Sequence, residues 1–374
     1  MMRLGWPVIP LALLLAAAPV GGQQTERMQI HGFGTWAYGN TDGNEYAVGE
    51  ADGRYANAQF ALNLAAQPSD TIVLRAQAAW HRVENGAEAE FSYAYGEWRF
   101  SDALRLRAGL IQQPAGLYAE ILHVGTLQPF AFPPQSIYGP AGMVAEGYQG
   151  LGITGSRYLQ GGWGLMYDLY SGEVHIQEMD PFDFMDEVDP GIGPPTMQEE
   201  NVKDAVGGRV RAMTPIDGLR FGFDLYTGKI GRPDGETTRD ASYGASAEYL
   251  AGRWTLRSEY RHKVERDVLA ADAFYAELAR KLTDHWQTAV RFDWSDTSPT
   301  GTNMSLDRSL LRHKELGIGV NYWFGTSMVM KLSYHYVRGN RFALPASGDS
   351  TSGTDTAPMK KVSNLFVLGT AFSF

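Results

Sequence analysis

The sequence contains no cysteine. It therefore has neither a disulfide framework nor the lipid attachment site of a bacterial lipoprotein. The lack of thiols is compatible with an oxidising compartment. Beyond the N-terminal segment, no apolar run approaches the ~20 residues that a membrane helix needs, although hydrophobic residues make up 44% of the chain. These absences argue against both an α-helical membrane protein and a disulfide-stapled secreted domain.

Short catalytic motifs are also lacking. The chain has no G-x-S-x-G elbow, no H-E-x-x-H and no phosphate-binding loop. Its eight histidines are scattered, and we expect none of them to have a neighbour at metal-ligand spacing. We therefore predict no catalytic residues, no metal site and no cofactor. A net charge of −10 argues against a nucleic-acid partner.

The first residues have the pattern of a secretory signal. A short basic start is followed by an apolar run from Leu4 to Ala18 and then by small residues. We expect cleavage after Gly22, so that residues 1–22 are the signal peptide and residues 23–374 form one domain. An uncleaved membrane anchor is the alternative interpretation, but the run is short for a span.

From Met28 onward, hydrophobic residues recur with the two-residue period of β-strands. Between Trp286 and Trp294, for example, large apolar residues alternate with Gln287, Ala289, Arg291 and Asp293. The pattern predicts sixteen strands, at residues 28–38, 55–67, 72–82, 89–99, 104–112, 147–157, 163–171, 204–213, 219–227, 241–249, 254–263, 271–282, 286–294, 313–324, 328–338 and 362–374.

The connections between these strands alternate in length, with short turns such as 101–103 and longer links such as 113–146. The chain also ends on an alternating strand whose last residue is Phe374. Both features are typical of bacterial outer-membrane barrels, whose periplasmic turns are short and whose outer loops are long. We therefore predict an all-β, transmembrane antiparallel β-barrel of about 16 strands in the bacterial outer membrane, with the lipid bilayer as its surroundings.

Charged residues fall on the polar side of this alternation, because a Lys or Arg facing lipid at mid-bilayer costs ~2–4 kcal/mol. Arg280 is the exception, and we expect it to reach the periplasmic interface. The pattern predicts an aqueous lumen with a basic wall; the alternative is that these charges only pair with one another. The predicted pore-lining residues are Arg75, Arg105, Arg107, Arg209, Arg211, Arg220, Arg257, Arg261, Lys281, Arg291 and Lys331.

The link at 113–146 is too apolar for an open surface loop, and we expect it to fold into the lumen. The residues Arg107-Ala108-Gly109, Pro114-x-Gly116-Leu117-Tyr118 and Pro134-Gln135-Ser136-Ile137-Tyr138 resemble Gram-negative porins, in particular the phosphate-selective porin O/P-like group and related putative porins. The specific resemblance covers about residues 105–155.

This resemblance implies a sixteen-stranded channel, usually a homotrimer, with the third loop at the constriction. The constriction residues carried over by position are Tyr118, Glu120, His123 and Glu146, of which the last three would face the basic wall. Opposed charges there would create a transverse field. The alternative is an outer loop that packs against a neighbouring subunit.

The fourth outer loop, at 172–203, is strongly acidic. Its carboxylates would hold divalent cations that bridge lipopolysaccharide, or would form a solvated loop. Taken together, the sequence predicts a passive diffusion channel for small hydrophilic solutes, favouring small anions. The alternatives are a barrel enzyme of the protease or lipase type, whose residues would assemble across strands, and a structural or adhesive barrel without an open pore.

Overall fold

The computed structural model describes residues 27–46, 48–50, 53–83, 86–139, 143–179, 197–231, 236–300, 308–309, 311–343 and 360–374. These residues form one closed antiparallel sheet of sixteen strands, in which each strand pairs with its neighbours in the chain and β1 pairs with β16. The strands are β1 Met28–Thr41, β2 Arg54–Ala66, β3 Ile72–Val83, β4 Gly86–Ser101, β5 Leu104–Gln112, β6 Gly147–Tyr158, β7 Gly164–Met179, β8 Met197–Met213, β9 Leu219–Gly231, β10 Thr237–Ala251, β11 Trp254–Glu265, β12 Leu269–Lys281, β13 Trp286–Pro299, β14 Arg312–Trp323, β15 Met328–Arg338 and β16 Val362–Ser373.

The terminal strand closes the barrel, as the sequence predicts. Gly34 of β1 lies opposite Phe372 of β16, and the pairing continues to Thr41 and Leu365. Closure leaves no edge strand, so every backbone amide in the ladder can find a partner without water. All sixteen predicted strands are present, and the prediction of an all-β antiparallel barrel is confirmed.

The strands differ from the prediction mainly at their outer ends. β7 and β8 extend several residues beyond the predicted spans, and the link between β3 and β4 shrinks to residues 84–85. The expectation of uniformly longer outer links is therefore wrong at this hairpin and at 266–268. Above the apolar band a strand no longer needs lipid-facing hydrophobic residues, so the ladder continues where the alternation in sequence fades.

Inside and outside alternate along each strand. On β14, Leu316, Ile318 and Val320 are exposed on the outer surface, whereas Glu315 and Asn321 are buried on the inner side. A closed, even-stranded barrel with an apolar exterior is the architecture of bacterial outer-membrane proteins. The fold therefore confirms the expected outer-membrane location.

The lipid-facing Arg280 lies one residue before the periplasmic end of β12. Its guanidinium carbon lies 4.6 Å from the centroid of the Trp254 ring, at the start of β11. This cation–π contact at the strand end fits the expected placement at the interface.

Among the described residues, helical structure occurs only in short segments. Ala119–Ile121, Gly125–Leu127 and the helical turn α1 (Gln135–Tyr138) all lie between β5 and β6, and Gln160–Gly162 forms a periplasmic turn. Over the described ranges, no helix has the length and apolar character needed to cross a bilayer. The signal peptide and its cleavage site lie outside the described residues, as does most of the acidic loop at 172–203.

Candidate channel constriction

The connection between β5 and β6, here called the third loop (residues 113–146, described except 140–142), folds into the barrel. Its apolar side chains Phe130, Phe132 and Ile137 are buried. A loop of this composition gains more free energy by packing against the barrel wall than by exposure to water. The expectation of an inward-folded third loop is thus confirmed by these side chains.

Wall residues provide the hydrogen bonds that the backbone of this loop needs. The Lys331 ammonium donates to the carbonyls of Gly125, Gln128 and Phe130 at 2.7, 2.7 and 2.8 Å. Arg291 donates to the Phe132 carbonyl at 3.0 Å. Because buried carbonyls without a donor are costly, these cations hold the loop against the wall.

Two tyrosines of the loop bind carboxylates of the wall. Tyr118 donates to Glu277 at 2.5 Å, and Tyr138 donates to Glu259 at 2.7 Å. Burial and the neighbouring carboxylates raise the pKa of both hydroxyls, so they stay protonated and keep donating. Tyr118 is therefore an anchor with no exposed surface, and the expectation that it lines the constriction is wrong.

The chain enters the loop through a tight contact at Gly116. Its backbone N–H donates to Asp224 at 3.0 Å, and its φ of +65° is a conformation that residues with a Cβ rarely adopt. A Cβ there would collide with Tyr138 and Glu259. Only glycine lets the backbone approach the wall this closely.

The docked loop seals part of the predicted basic wall. Arg257, Arg261, Arg291 and Lys331 all point inward, but each is at most 5% exposed. Each of the three arginines is ion-paired: Arg291 with Glu277 at 2.7 Å, Arg261 with Asp224 at 2.7 Å, and Arg257 with a carboxylate of β10 at 3.0 Å. The prediction that these four residues line the pore is wrong, since the loop covers them; here the alternative of internal pairing holds.

The other part of the wall borders a cavity, where Arg75, Arg105 and Arg107 are partly exposed and Arg209 is buried. A cavity of about 300 Å³ lies between the third loop and strands β3 to β8, and Arg75, Arg105, Arg107 and Arg209 line it. Glu97, Glu120 and Asp168 line it as well. The charges of the cavity therefore come from opposite sides, with wall arginines facing a loop carboxylate.

Glu120 is the link between the loop and the arginines. Its carboxylate accepts a hydrogen bond from Arg209 at 2.6 Å and another from Arg211. Burial alone would raise its pKa, but the two guanidinium groups outweigh that effect and hold the pKa at about 2. Glu120 is therefore anionic at neutral pH, and its carboxylate lies against Arg209 and Arg211 of the wall.

His123 and Glu146 make a different contact. The His123 Nε2 lies 3.5 Å from a Glu146 carboxylate oxygen and 3.2 Å from the Ser92 hydroxyl of β4. Burial alone would raise the pKa of Glu146, but the contact with His123 outweighs it and lowers the pKa below its ordinary value. The expectation that these two residues face the arginines is wrong, because they pair with each other at the β4 side.

The remaining predicted positions lie nearer the periplasmic side. Arg220 pairs with Glu248 at 3.0 Å, and the Lys281 ammonium lies 4.6 Å from the centroid of the Trp323 ring. Both are partly exposed. Neither of them lines the cavity.

Sequence reasoning missed a cluster of three potential metal ligands. Asp293 of β13 and His313 and Glu315 of β14 bring one ligand atom each within 4.8 Å of one another, and all are buried. The expectation that no histidine has a ligand neighbour is therefore wrong. The His313-x-Glu315 pair was a visible signal, but Asp293 joins it only through the register between strands.

Comparison with known proteins shows the same architecture at low sequence identity. No family model matches the sequence, and no curated protein matches it. The outer membrane channel DcaP of Acinetobacter baumannii superposes with a TM-score of 0.58 at 8% identity over 95% of this chain and 100% of that one. The anion-selective porin from Comamonas acidovorans superposes with a TM-score of 0.57 at 12% identity, over 93% of this chain and 99% of that one. The trimer form of OmpT, an outer membrane protein of Vibrio cholerae, superposes with a TM-score of 0.54 at 11% identity, over 93% of this chain and 99% of that one. The chain thus has the fold of the porin-like barrels of the bacterial outer membrane.

Proposed function

We propose that the protein is a non-enzymatic outer-membrane porin that lets small hydrophilic solutes diffuse through the cavity between the third loop and strands β3 to β8, with a preference for anions. The architecture supports a channel because the loop fills one side of the lumen and leaves the other accessible. The permeation path follows the arginines of the open side rather than the whole predicted basic wall.

The charge balance of the cavity carries the anion preference. Arg99 and Arg211 join the lining arginines through hydrogen bonds to Glu97 and Glu120. The region then holds six arginines against three carboxylates. A positive excess in a narrow, partly desolvated passage concentrates anions and excludes cations.

Arg75 and Arg105 supply two of the three excess positive charges. Neither has a carboxylate within ion-pair distance among the described residues, and both are partly exposed to the cavity. Arg105 lies only near the Ser156 hydroxyl, at 3.5 Å. Their charges are therefore available to a passing anion, whereas Arg107 and Arg209 are already neutralised by Glu97 and Asp168.

Phosphate is the first anion to test. The sequence resembles the phosphate-selective porin O/P-like group over about residues 105–155, and guanidinium groups bind phosphate oxygens in a bidentate manner. One structure similar to this chain is described as an anion-selective porin. Both observations support an anionic solute, and the arginines at Arg75 and Arg105 are the groups that would bind it.

We also propose a homotrimer in a bilayer that contains lipopolysaccharide. One similar structure is a trimer form. The acidic residues of the fourth outer loop would bind lipopolysaccharide through divalent cations. Cross-linking of the purified protein in detergent tests the trimer independently of conduction.

The channel is tested by recording in planar bilayers under a salt gradient. We expect ohmic conductance and a reversal potential of the anion-favouring sign. The double variant Arg75→Ala/Arg105→Ala should shift the ratio of anion to cation permeability toward cations, whereas the control Arg253→Ala, at an exposed periplasmic turn, should not.

Other outcomes separate the alternatives. No conductance from correctly folded barrels would favour a structural or adhesive barrel, and hydrolysis of peptides or phospholipids by the same preparation would favour an enzyme. Conductance with an unchanged permeability ratio in the double variant would remove Arg75 and Arg105 from the path.

A further inference from the structure

A buried polar cluster lies against the third loop on the outer half of the barrel. Asp293 on β13 lies directly opposite Glu315 on β14, and His313 lies two residues before Glu315 on the same inner face. Their exposed fractions are 0, 2 and 1%. The channel mechanism uses none of these three residues.

The separations within the cluster are those of ligands rather than of hydrogen-bond partners. The His313 Nε2 lies 3.6 Å from a carboxylate oxygen of Asp293 and 3.6 Å from one of Glu315. Such distances are too long for hydrogen bonds. A tetrahedral ion with bonds of about 2.0–2.1 Å would space its ligand atoms by about 3.4 Å, close to the two distances from His313, and all three ligand atoms lie within 4.8 Å of one another.

Several atoms of the cluster have no partner. Among the described residues, both ring nitrogens of His313 and the Oδ1 of Asp293 make no hydrogen bond. No lysine or arginine among the residues that the structure describes comes within ion-pair distance of Asp293 or Glu315. Two buried carboxylates in facing strand positions repel each other, so a bound cation would relieve both the repulsion and the missing contacts.

Surrounding residues hold these ligands in place. Glu315 contacts the His335 Nδ1 at 2.7 Å, and Asp293 accepts a hydrogen bond from the Ser136 N–H of α1 at 3.1 Å. The Phe342 ring packs edge-on against the His313 imidazole at 5.0 Å. An outer layer of this kind orients metal ligands and excludes competing water.

We propose that Asp293, His313 and Glu315 bind a divalent transition-metal ion, with Zn²⁺ as the best match. One imidazole and two carboxylates suit zinc in a four-coordinate site, whereas calcium prefers six to eight oxygens. The buried hydroxyl of Ser295, which has no hydrogen-bond partner among the described residues, or a water would complete the coordination. Because Ser136 binds one ligand, the ion fastens α1 to the wall and stabilises the docked third loop.

The test is metal binding by the purified full-length barrel in detergent. After chelator treatment, the protein is titrated with Zn²⁺ in competition with a chromophoric chelator, and bound metal is measured by mass spectrometry. We expect one Zn²⁺ per chain, and tetrahedral-type visible absorption when Co²⁺ replaces it. His313→Gln and Glu315→Gln should each weaken binding by 100-fold or more.

His262→Gln is the matched control. His262 lies 2.9 Å from Asp272 on neighbouring strands, so it forms a similar histidine–carboxylate pair, but no third ligand atom joins that pair among the described residues. We expect this variant to bind Zn²⁺ like the wild type. The proposal would be overturned if the wild type and His313→Gln bound Zn²⁺ with equal affinity. It would also be overturned if the folded wild type showed neither stoichiometric binding nor Co²⁺ absorption. The cluster would then be an ion pair between a protonated His313 and its two carboxylates.

Discussion

Glu120 is the one carboxylate that the third loop presents to the wall arginines Arg209 and Arg211, so its charge can be removed with a defined consequence for permeation. Glu120→Gln keeps the shape of the side chain and an oxygen at the Oε1 position, which accepts the hydrogen bonds of both arginines. The other anchors of the loop, at Tyr118 and Lys331, are unaffected. The variant therefore changes the electrostatics of the cavity more than its geometry.

The magnitude follows from Coulomb's law. A monovalent ion that passes about 6 Å from the carboxylate in water interacts with it by about 0.7 kcal/mol, and screening at 0.1 M salt reduces this to about 0.4 kcal/mol. Removing the negative charge favours anions and disfavours cations by this amount each. The two effects together are worth about 0.8 kcal/mol, so the ratio of anion to cation permeability should rise by about fourfold.

The assay is the reversal potential under a salt gradient, compared with the control Asp284→Asn. Asp284 is exposed at a periplasmic turn that lies away from the cavity, so Asp284→Asn removes one negative charge without changing the charge of the cavity. An unchanged ratio in Glu120→Gln, or a shift toward cations, would show that solutes do not pass near Glu120 and would refute the position assigned to the channel.

The pH dependence of the same comparison gives a second measurement. Because the pKa of Glu120 is lowered to about 2 in the folded protein, its charge and its contribution to loop docking are present above the ordinary value near 4.5. Both are lost only as the pH falls through about 2. The difference between wild type and Glu120→Gln should therefore stay constant from pH 7 to pH 4, and its disappearance near pH 5 would contradict the ion pairs with Arg209 and Arg211.

The docking of the third loop leads to the remaining predictions. Lys331→Met leaves the buried carbonyls of Gln128 and Phe130 without a donor among the described residues, at about 1–3 kcal/mol each, whereas the Gly125 carbonyl keeps the Gln128 N–H. The loop should loosen, seen as noisier, larger conductance and faster protease cleavage within 113–146. The exposed control Lys229→Met should behave like the wild type. Gly116→Ala should shift the loop because its Cβ collides with Tyr138. Gly252→Ala, where φ is +58° and space is open, isolates the backbone cost of about 1–2 kcal/mol. Equal conductance and proteolysis in the two glycine variants would rule out the close approach at Gly116.

The alternation of hydrophobic and polar residues was sufficient to predict the barrel. Alternation between lipid and interior must hold in every membrane strand, so it appears in each segment without knowledge of its partners, and the spans of β5 and β15 match the structure residue for residue. The same rule placed the charges, including Arg261 and Arg291, on the inner face. The composition of the third loop was enough to show that it folds inward, because its aromatic side chains need an apolar contact.

Which inner residues meet water could not be predicted from this alternation, because it depends on how the third loop packs inside the barrel. The path of the third loop across the lumen depends on contacts between residues far apart in the chain, such as Lys331 with Gly125 and Tyr118 with Glu277. Periodicity carries no information about such contacts, so the sealed and open parts of the wall look alike in sequence. The cluster at Asp293 and His313 was hidden for the same reason, since strand register and not spacing brings its ligands together.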